Sequence, residues 1–259
     1  MPKKMDIRNT FLKLTSRTYP SGTEEQLLNL IPFDLSRDIF GNYFIQIGEN
    51  PSCMFTSHFD TCSKNVDQVN HVFEGNFVKT DGKTILGADD KAGVTVMLYM
   101  IHHKVPGLYY FFISEEVGCV GSIALANSHR NRPLPHIKKV ISFDRRATDS
   151  IITFQSRVRC CSEIFAIELF TELNEKSLEE DSVDLTFDYK SDNTGVCTDS
   201  KSFMEIYPEC TNISVGYYNE HRGTEYQDMI HLEKLAKTAV LVDWEKLGVY
   251  RDPAITERM

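Results

Sequence analysis

The segment Leu108-Tyr-Tyr-Phe-Phe-Ile-Ser-Glu-Glu116 sets the terms for the whole chain. An unbroken apolar and aromatic run has the composition of a strand covered on both faces, and this one stops on two adjacent acids. Three further stretches repeat the pattern. Cys53-Met-Phe-Thr-Ser57 runs into His58 and Asp60, Val140-Ile-Ser-Phe143 runs into Asp144, and Asn212-Ile-Ser-Val-Gly216 leads toward His221. Between them, Lys91 to His103 has helical spacing with Val94, Val96, Met97 and Met100 inward, and Gly121 to Ser128 reads as a second helix. Long apolar strands separated by helices indicate an α/β fold of three layers, α/β/α, around a central mixed and mostly parallel sheet.

The flanking segments fit around that core. Met5 to Ser16 has helical spacing, and Ser21-Gly-Thr-Glu-Glu25 offers Ser and Thr caps to a second short helix through Leu30. Arg37 to Phe40 and Tyr43 to Ile47 read as strands joined by a tight turn at Gly41-Asn42. Val66 to Ile85, with turns at Gly75-Asn76 and Asp81-Gly82, reads as an antiparallel excursion, and Glu225 to Leu247 as one long helix.

At 259 residues, without repeats or a Pro/Gly/Ser-rich linker, residues 1–259 are expected to form a single catalytic domain. A formal charge of −9 and no basic run beyond Pro2-Lys3-Lys4 argue against nucleic acid as a partner. The N-terminus lacks the apolar stretch of a signal peptide, and no segment reaches the roughly 20 apolar residues of a membrane span, so a cytoplasmic protein without a membrane partner is expected. Cys53, Cys62, Cys119, Cys160, Cys161, Cys197 and Cys210 contain no C-x-x-C pair, which fits buried thiols better than a disulfide framework or zinc ribbon. Oligomeric state is not readable from the sequence.

The chemistry-bearing residues collect at the C-terminal ends of the strands, where open α/β sheets place their sites. His58 and Asp60, at i and i+2 of an extended segment, face the same side, so Asp60 can hold one imidazole nitrogen while His58 offers the other to a metal. A buried histidine satisfied by its neighbour presents the same pair. Leu86-Gly-Ala-Asp-Asp-Lys-Ala-Gly93 puts two carboxylates before a helix; a cap needs only one, and the other can bridge two cations. Glu115 and Glu116, adjacent in an extended segment, diverge and take different tasks, one ligating and one acting as general base toward a water. Asp144 and His221 repeat the placement. Together His58, Asp89, Glu116, Asp144 and His221 supply the nitrogen and oxygen donors expected for a pair of divalent ions, Zn²⁺ or alternatively Co²⁺ or Mn²⁺.

The ordered series Ser57-His-Phe-Asp-Thr61, Asp81-Gly-Lys-Thr-Ile-Leu-Gly-Ala-Asp-Asp-Lys-Ala-Gly93, Ser114-Glu-Glu-Val-Gly-Cys-Val-Gly-Ser122, Ser142-Phe-Asp144 and Asn219-Glu-His221 resembles the co-catalytic dinuclear zinc exopeptidase superfamily. Peptidase T, the deblocking aminopeptidases and bacterial leucyl aminopeptidase belong to it, and Pro20-Ser-Gly-Thr-Glu-Glu25 is similar to the peptidase T opening. The resemblance implies that Asp89 bridges two metals, with His58 and Asp144 completing one site and Glu116 and His221 the other. It also implies that Glu115 is the general base, that Asp60 orients His58, and that the peptide bond after Asp89 is cis, with Asp90 structural.

Only 76 residues separate Asp144 from His221 and His58 lies 31 positions before Asp89, so neither the lid of peptidase T nor the insertion of the deblocking enzymes is expected. Without a lid to grip a substrate carboxylate, an aminopeptidase acting on short peptides is the leading reading. The alternatives are an amidohydrolase removing an acyl group from a non-peptide amide, and a metal-stabilised binding protein without turnover; Glu115 argues against the last. Tyr217 or Tyr218 is a candidate oxyanion donor, and Arg145, Arg146 and Arg222 are candidate substrate contacts, although core or rim packing and surface ion pairing account for such residues equally well.

Overall fold

The computed structural model describes residues 5–259, and the Pro2-Lys3-Lys4 start lies outside the described residues. The chain opens with α1 (Ile7–Leu14), a 3₁₀ turn (Glu24–Leu30), β1 (Ser36–Arg37), β2 (Tyr43–Ile47) and β3 (Cys53–His58). It continues through β4 (His71–Glu74), β5 (Phe77–Thr80), α2 (Ala88–His102), β6 (Gly107–Phe112), α3 (Val120–Asn131) and β7 (Lys139–Arg145). Next come β8 (Ser150–Ile152), β9 (Phe154–Gln155), β10 (Val158–Arg159), α4 (Glu163–Glu179), β11 (Lys190–Asp192) and a 3₁₀ turn (Asp199–Phe203). The last elements are β12 (Glu209–Ser214), β13 (Tyr217–Tyr218), β14 (Tyr226–Asp228) and α5 (Met229–Leu241).

Eight strands form the main sheet in the order β1-β2-β6-β3-β7-β12-β8-β11. Its centre, β6-β3-β7-β12, is parallel, while β2 joins β6 and β8 joins β12 antiparallel. The expected mixed, mostly parallel sheet is therefore present. Its strands are apolar on both faces because both are covered. Phe55, Tyr109, Phe111, Ile141 and Phe143 face a core shared with α1, α2, α4 and α5, and the alternate residues Met54, Leu108, Tyr110, Phe112 and Val140 face one shared with α3. Helix α2 passes so near β7 that a Cβ on Gly93 would lie 1.9 Å from the Phe143 carbonyl oxygen. Glycine is required there.

Register explains why the site residues meet. His58 pairs with Phe112 on β6, and Thr56 pairs with Ser142 on β7, which puts His58 level with Asp144 and just below Glu115 and Glu116. The segment between Asp144 and His221 adds β8, β11 and β12 to the main sheet and packs α4 against its core.

Several boundaries differ from the sequence reading. The long helix expected over Glu225 to Leu247 is strand β14 followed by α5, because Tyr226–Asp228 pairs with β5 and the Asp228 carboxylate caps α5 by accepting from the amides of Ile230 and His231. At the far end, buried Lys139 donates to the carbonyls of Trp244 (2.7 Å) and Leu247 (3.0 Å), holding the chain in a non-helical path. The expected second helix is a 3₁₀ turn over Glu24–Leu30 with no side-chain cap; the Thr23 hydroxyl donates backward to the Pro20 carbonyl instead. The turn after β1 spans five residues rather than two, since Asp38 Oδ1 gathers the amides of Phe40 and Asn42. The β4–β5 excursion is present, and β14 and β13 extend it to a four-stranded sheet. Helix α4 was not expected at all.

Candidate metal centre

The five proposed ligands converge at the C-terminal edge of the parallel strands. Asp89 lies at their centre, with Oδ1 3.1 Å from His58 Nε2 and Oδ2 3.1 Å from His221 Nε2. On the first side, Asp144 Oδ1 is 3.8 Å from His58 Nε2; on the second, Glu116 Oε2 is 2.9 Å from His221 Nε2. The two oxygens of one carboxylate thus face two separate imidazole–carboxylate pairs. The Asp89–Asp90 peptide bond is cis. Asp90 turns away into structural bonds, accepting from the Ser57 hydroxyl, the His58 amide (3.3 Å) and the Gly93 amide (3.1 Å).

Buried carboxylates hold the surrounding loops. Asp60 Oδ1 lies 3.3 Å from His58 Nδ1, which also meets the Asp60 carbonyl at 3.2 Å, and the two Asp60 oxygens accept from the amides of Glu115 (3.0 Å) and Glu116 (3.1 Å). One side chain therefore fixes both the histidine ring and the turn carrying the two glutamates. Glu225, 1% exposed, does the same for the Asp89 loop, accepting from the amides of Leu86 (2.9 Å), Gly87 (2.8 Å) and Asp89 (3.0 Å). Glu24 is the third such anchor: it accepts from the amides of Gly22 and Ser114. Buried Lys91 donates to the Asp60 carbonyl and to Thr61 Oγ1. Sequence reading missed Glu225, Glu24 and Lys91 as site builders; the signals were that Glu24 belongs to the Pro20–Glu25 segment, that Lys91 belongs to the motif around Asp89 and that Glu225 follows His221 by four positions.

Glu115 Oε2 lies 3.9 Å from His58 Nε2, and its Oε1 accepts from Cys119 Sγ at 3.3 Å. Tyr217 donates to Asp144 Oδ1 at 3.0 Å, and Thr198 donates to the other oxygen. Tyr218 instead stacks on Tyr226, with ring centroids 4.9 Å apart. Arg145 pairs with Asp192 (3.1 Å) and Thr194 (2.9 Å), and Arg146 with Glu220 (3.4 Å). Arg222 is exposed on the His221 loop, outside the lining of the cavity. That cavity, ≈120 Å³, is bounded by Asp89, Glu115, Asp144, Tyr217, Glu220 and His221 among others.

The electrostatics call for cations. Burial opposes charge on His58, yet hydrogen bonds to Asp60 and Asp89 and the charges of Asp144 and Glu115 push its pKa well above the usual histidine range. Hydrogen bonds to Asp89 and Glu116 raise His221 to about 11. Burial, reinforced by Asp89 and Glu116, lifts Glu115 to about 7, and burial with Asp90 and Asp89 lifts Asp144 well above the carboxylate range. Carboxylates taken out of water at this density cost several kcal/mol each unless positive charge meets them. Donor chemistry agrees: His58, Asp89 and Glu116 offer atoms within 4.8 Å of one another, as do Cys62, Glu116 and His221. Imidazole and carboxylate donors suit zinc-like ions.

Residues 43–234 match the model of peptidase family M28, well over half of the chain. The chain belongs to peptidase family M28. This M28 member is accordingly a metallopeptidase, a hydrolase, and the superfamily expected from its motifs is the one it falls in. An uncharacterized protein of Bacillus subtilis, YqjE, is 44% identical over 81 residues, which is 29% of this chain and only 22% of that protein's length. Among solved structures, aminopeptidase PepT from Bacillus cereus has a TM-score of 0.70 at 15% identity, covering 90% of this chain and 96% of that one. A tripeptidase from Staphylococcus aureus has 0.64 at 15%, covering 90% and 96%, and the Pyrococcus horikoshii TET1 peptidase 0.62 at 16%, covering 91% and 98%. At these identities the likeness is one of fold. Among the described residues of the M28 chain, no helix is long and apolar enough to cross a membrane.

Proposed function

We propose that this M28 peptidase is a dinuclear aminopeptidase that releases N-terminal residues from short peptides. The observation that carries the reading is the division of Asp89, one oxygen toward His58 and the other toward His221. On this reading Asp89 would be shared by two divalent ions, Zn²⁺ or alternatively Co²⁺ or Mn²⁺, one of which His58 and Asp144 would hold and the other Glu116 and His221. When bound, such a pair polarises the scissile carbonyl and makes water a nucleophile near neutral pH.

The remaining steps belong to side chains. Glu115, at the cavity wall with Oε2 3.9 Å from His58 Nε2, takes a proton from the attacking water at its carboxylate and returns it to the departing amine. Asp60 keeps His58 Nδ1 engaged, so that Nε2 faces the site. The Tyr217 proton is committed to Asp144, which makes this phenol an orienting group rather than a free oxyanion donor. Polarity follows from charge. Among the described residues lining the cavity, each guanidinium is already engaged with a carboxylate, Arg145 with Asp192 and Arg146 with Glu220, which disfavours either as the anchor for a C-terminal carboxylate.

The test is hydrolysis of matched peptides with free and N-acetylated amino termini by protein reloaded with Zn²⁺, Co²⁺ or Mn²⁺ after chelation. Turnover of the free-amine peptides alone is expected. Preference for the acetylated series would contradict the aminopeptidase reading and favour a deacylase.

A further inference from the structure

Two pairs of site ligands are accounted for above, but one metal-binding side chain beside them is not. Cys62 Sγ, a Glu116 oxygen and a His221 nitrogen all lie within 4.8 Å of one another. Donors bound to one ion at about 2.0–2.3 Å lie within about 4.6 Å of each other, so small side-chain movements gather all three. The Cys62 backbone and the residue before it are held in place. Its own amide donates to Glu116 Oε1 at 3.1 Å, the preceding Thr61 amide donates to the Tyr19 carbonyl at 2.8 Å, and Lys91 reaches Thr61 Oγ1. The thiol is free of any disulfide and exposed, unlike five of the seven cysteines, which are buried.

The other half of the site has nothing comparable: among the described residues, the donor groups around His58 contain nitrogen and oxygen only. We propose that Cys62 is a thiolate ligand of the ion held by Glu116 and His221, which makes that half of the centre selective for soft or borderline divalent cations such as Zn²⁺, Co²⁺ or Cd²⁺ over Mn²⁺ or Mg²⁺. The inference rests on the dinuclear reading above, yet it is tested without peptidase activity.

Full-length protein is stripped with chelator, loaded with Co²⁺ and examined by near-ultraviolet absorption, with cobalt content measured on the same sample. A thiolate-to-cobalt charge-transfer band is expected in the wild type and lost in Cys62→Ser at unchanged cobalt content. Cobalt bound without the band, or the band persisting in Cys62→Ser, overturns the Cys62 assignment and leaves the dinuclear reading intact. Failure to take up cobalt at all overturns both. A second measurement needs no variant: alkylation of the wild type by iodoacetamide, mapped by mass spectrometry. Zn²⁺ should protect Cys62 and leave exposed Cys197 as reactive as in the stripped protein, whereas equal labelling of Cys62 in the two states contradicts the proposal.

Discussion

The two halves of the proposed metal centre are built differently. His58 and Asp144 sit on neighbouring parallel strands, level with each other through the β3–β7 register, and the His58 side chain is 1% exposed. Glu116 and His221 sit on loops from different sheets, and the His221 side chain is 44% exposed. His221 also adopts a left-handed backbone with φ 64°, as do Ser114 (57°), Cys119 (54°) and Asn219 (57°) nearby, each a conformation that costs a non-glycine residue of the order of 1–3 kcal/mol. A strand-built half is positioned by the sheet itself. A loop-built half needs separate anchors, and here these are Asp60, Glu24 and Glu225; Asp60 accepts from the amides of residues 115 and 116, Glu24 from that of 114, and Glu225 from those of 86, 87 and 89.

The comparison breaks most completely at Asp89, the one residue common to both halves. Asp89→Ala should lose both ions and all measurable turnover, whereas His221→Ala should retain an ion in the strand-built half, as elemental analysis after dialysis would report. Equal metal loss from His221→Ala and Asp89→Ala would show that the halves are not separable.

A smaller effect belongs to the anchors. Asp60→Asn keeps the size of the side chain and weakens its hold on His58 and on the Glu115–Glu116 amides, so metal affinity should fall by roughly 10–100-fold, the range typical of residues behind metal ligands. Competition with a fluorescent chelator measures it, and unchanged affinity would place the rigidity of the loop elsewhere.

His231, outside both halves, should leave metal binding alone and alter only stability. Burial lowers its pKa from 6.5 to about 4, and its ring lies 2.9 Å from the Tyr189 hydroxyl. The folded state holds the neutral ring, so the contribution is complete above pH 6.5 and is lost as pH falls toward 4, about 3 kcal/mol in all. Urea unfolding of chelator-treated protein across that window should be less pH-dependent in His231→Gln than in the wild type. Parallel slopes would contradict the shift.

What could be read from the sequence follows the same division. Strand ends are visible because a continuous apolar run stopping on His58, Glu115 or Asp144 is an unusual pattern, and the order of the runs carries the superfamily resemblance. The anchors are not visible, since Glu225 meets its backbone partners from 136 to 139 positions away and any acid can accept from an amide. Strand β14 is hidden for another reason: three residues are too few to show a period, and the helical pattern of α5 runs straight on from them. Helix α4 spaces Phe165, Leu169 and Leu173 among acids, bears no site residue and lies away from the motifs that guided the reading.

The central claim is that the cluster catalyses hydrolysis with Glu115 moving the proton, and it is tested most directly by Glu115→Gln, with metal content and initial rate taken from one preparation. Two ions per chain retained and turnover of a free-amine peptide reduced by roughly two to four orders of magnitude is the expected result. Near wild-type turnover with both ions bound would contradict it.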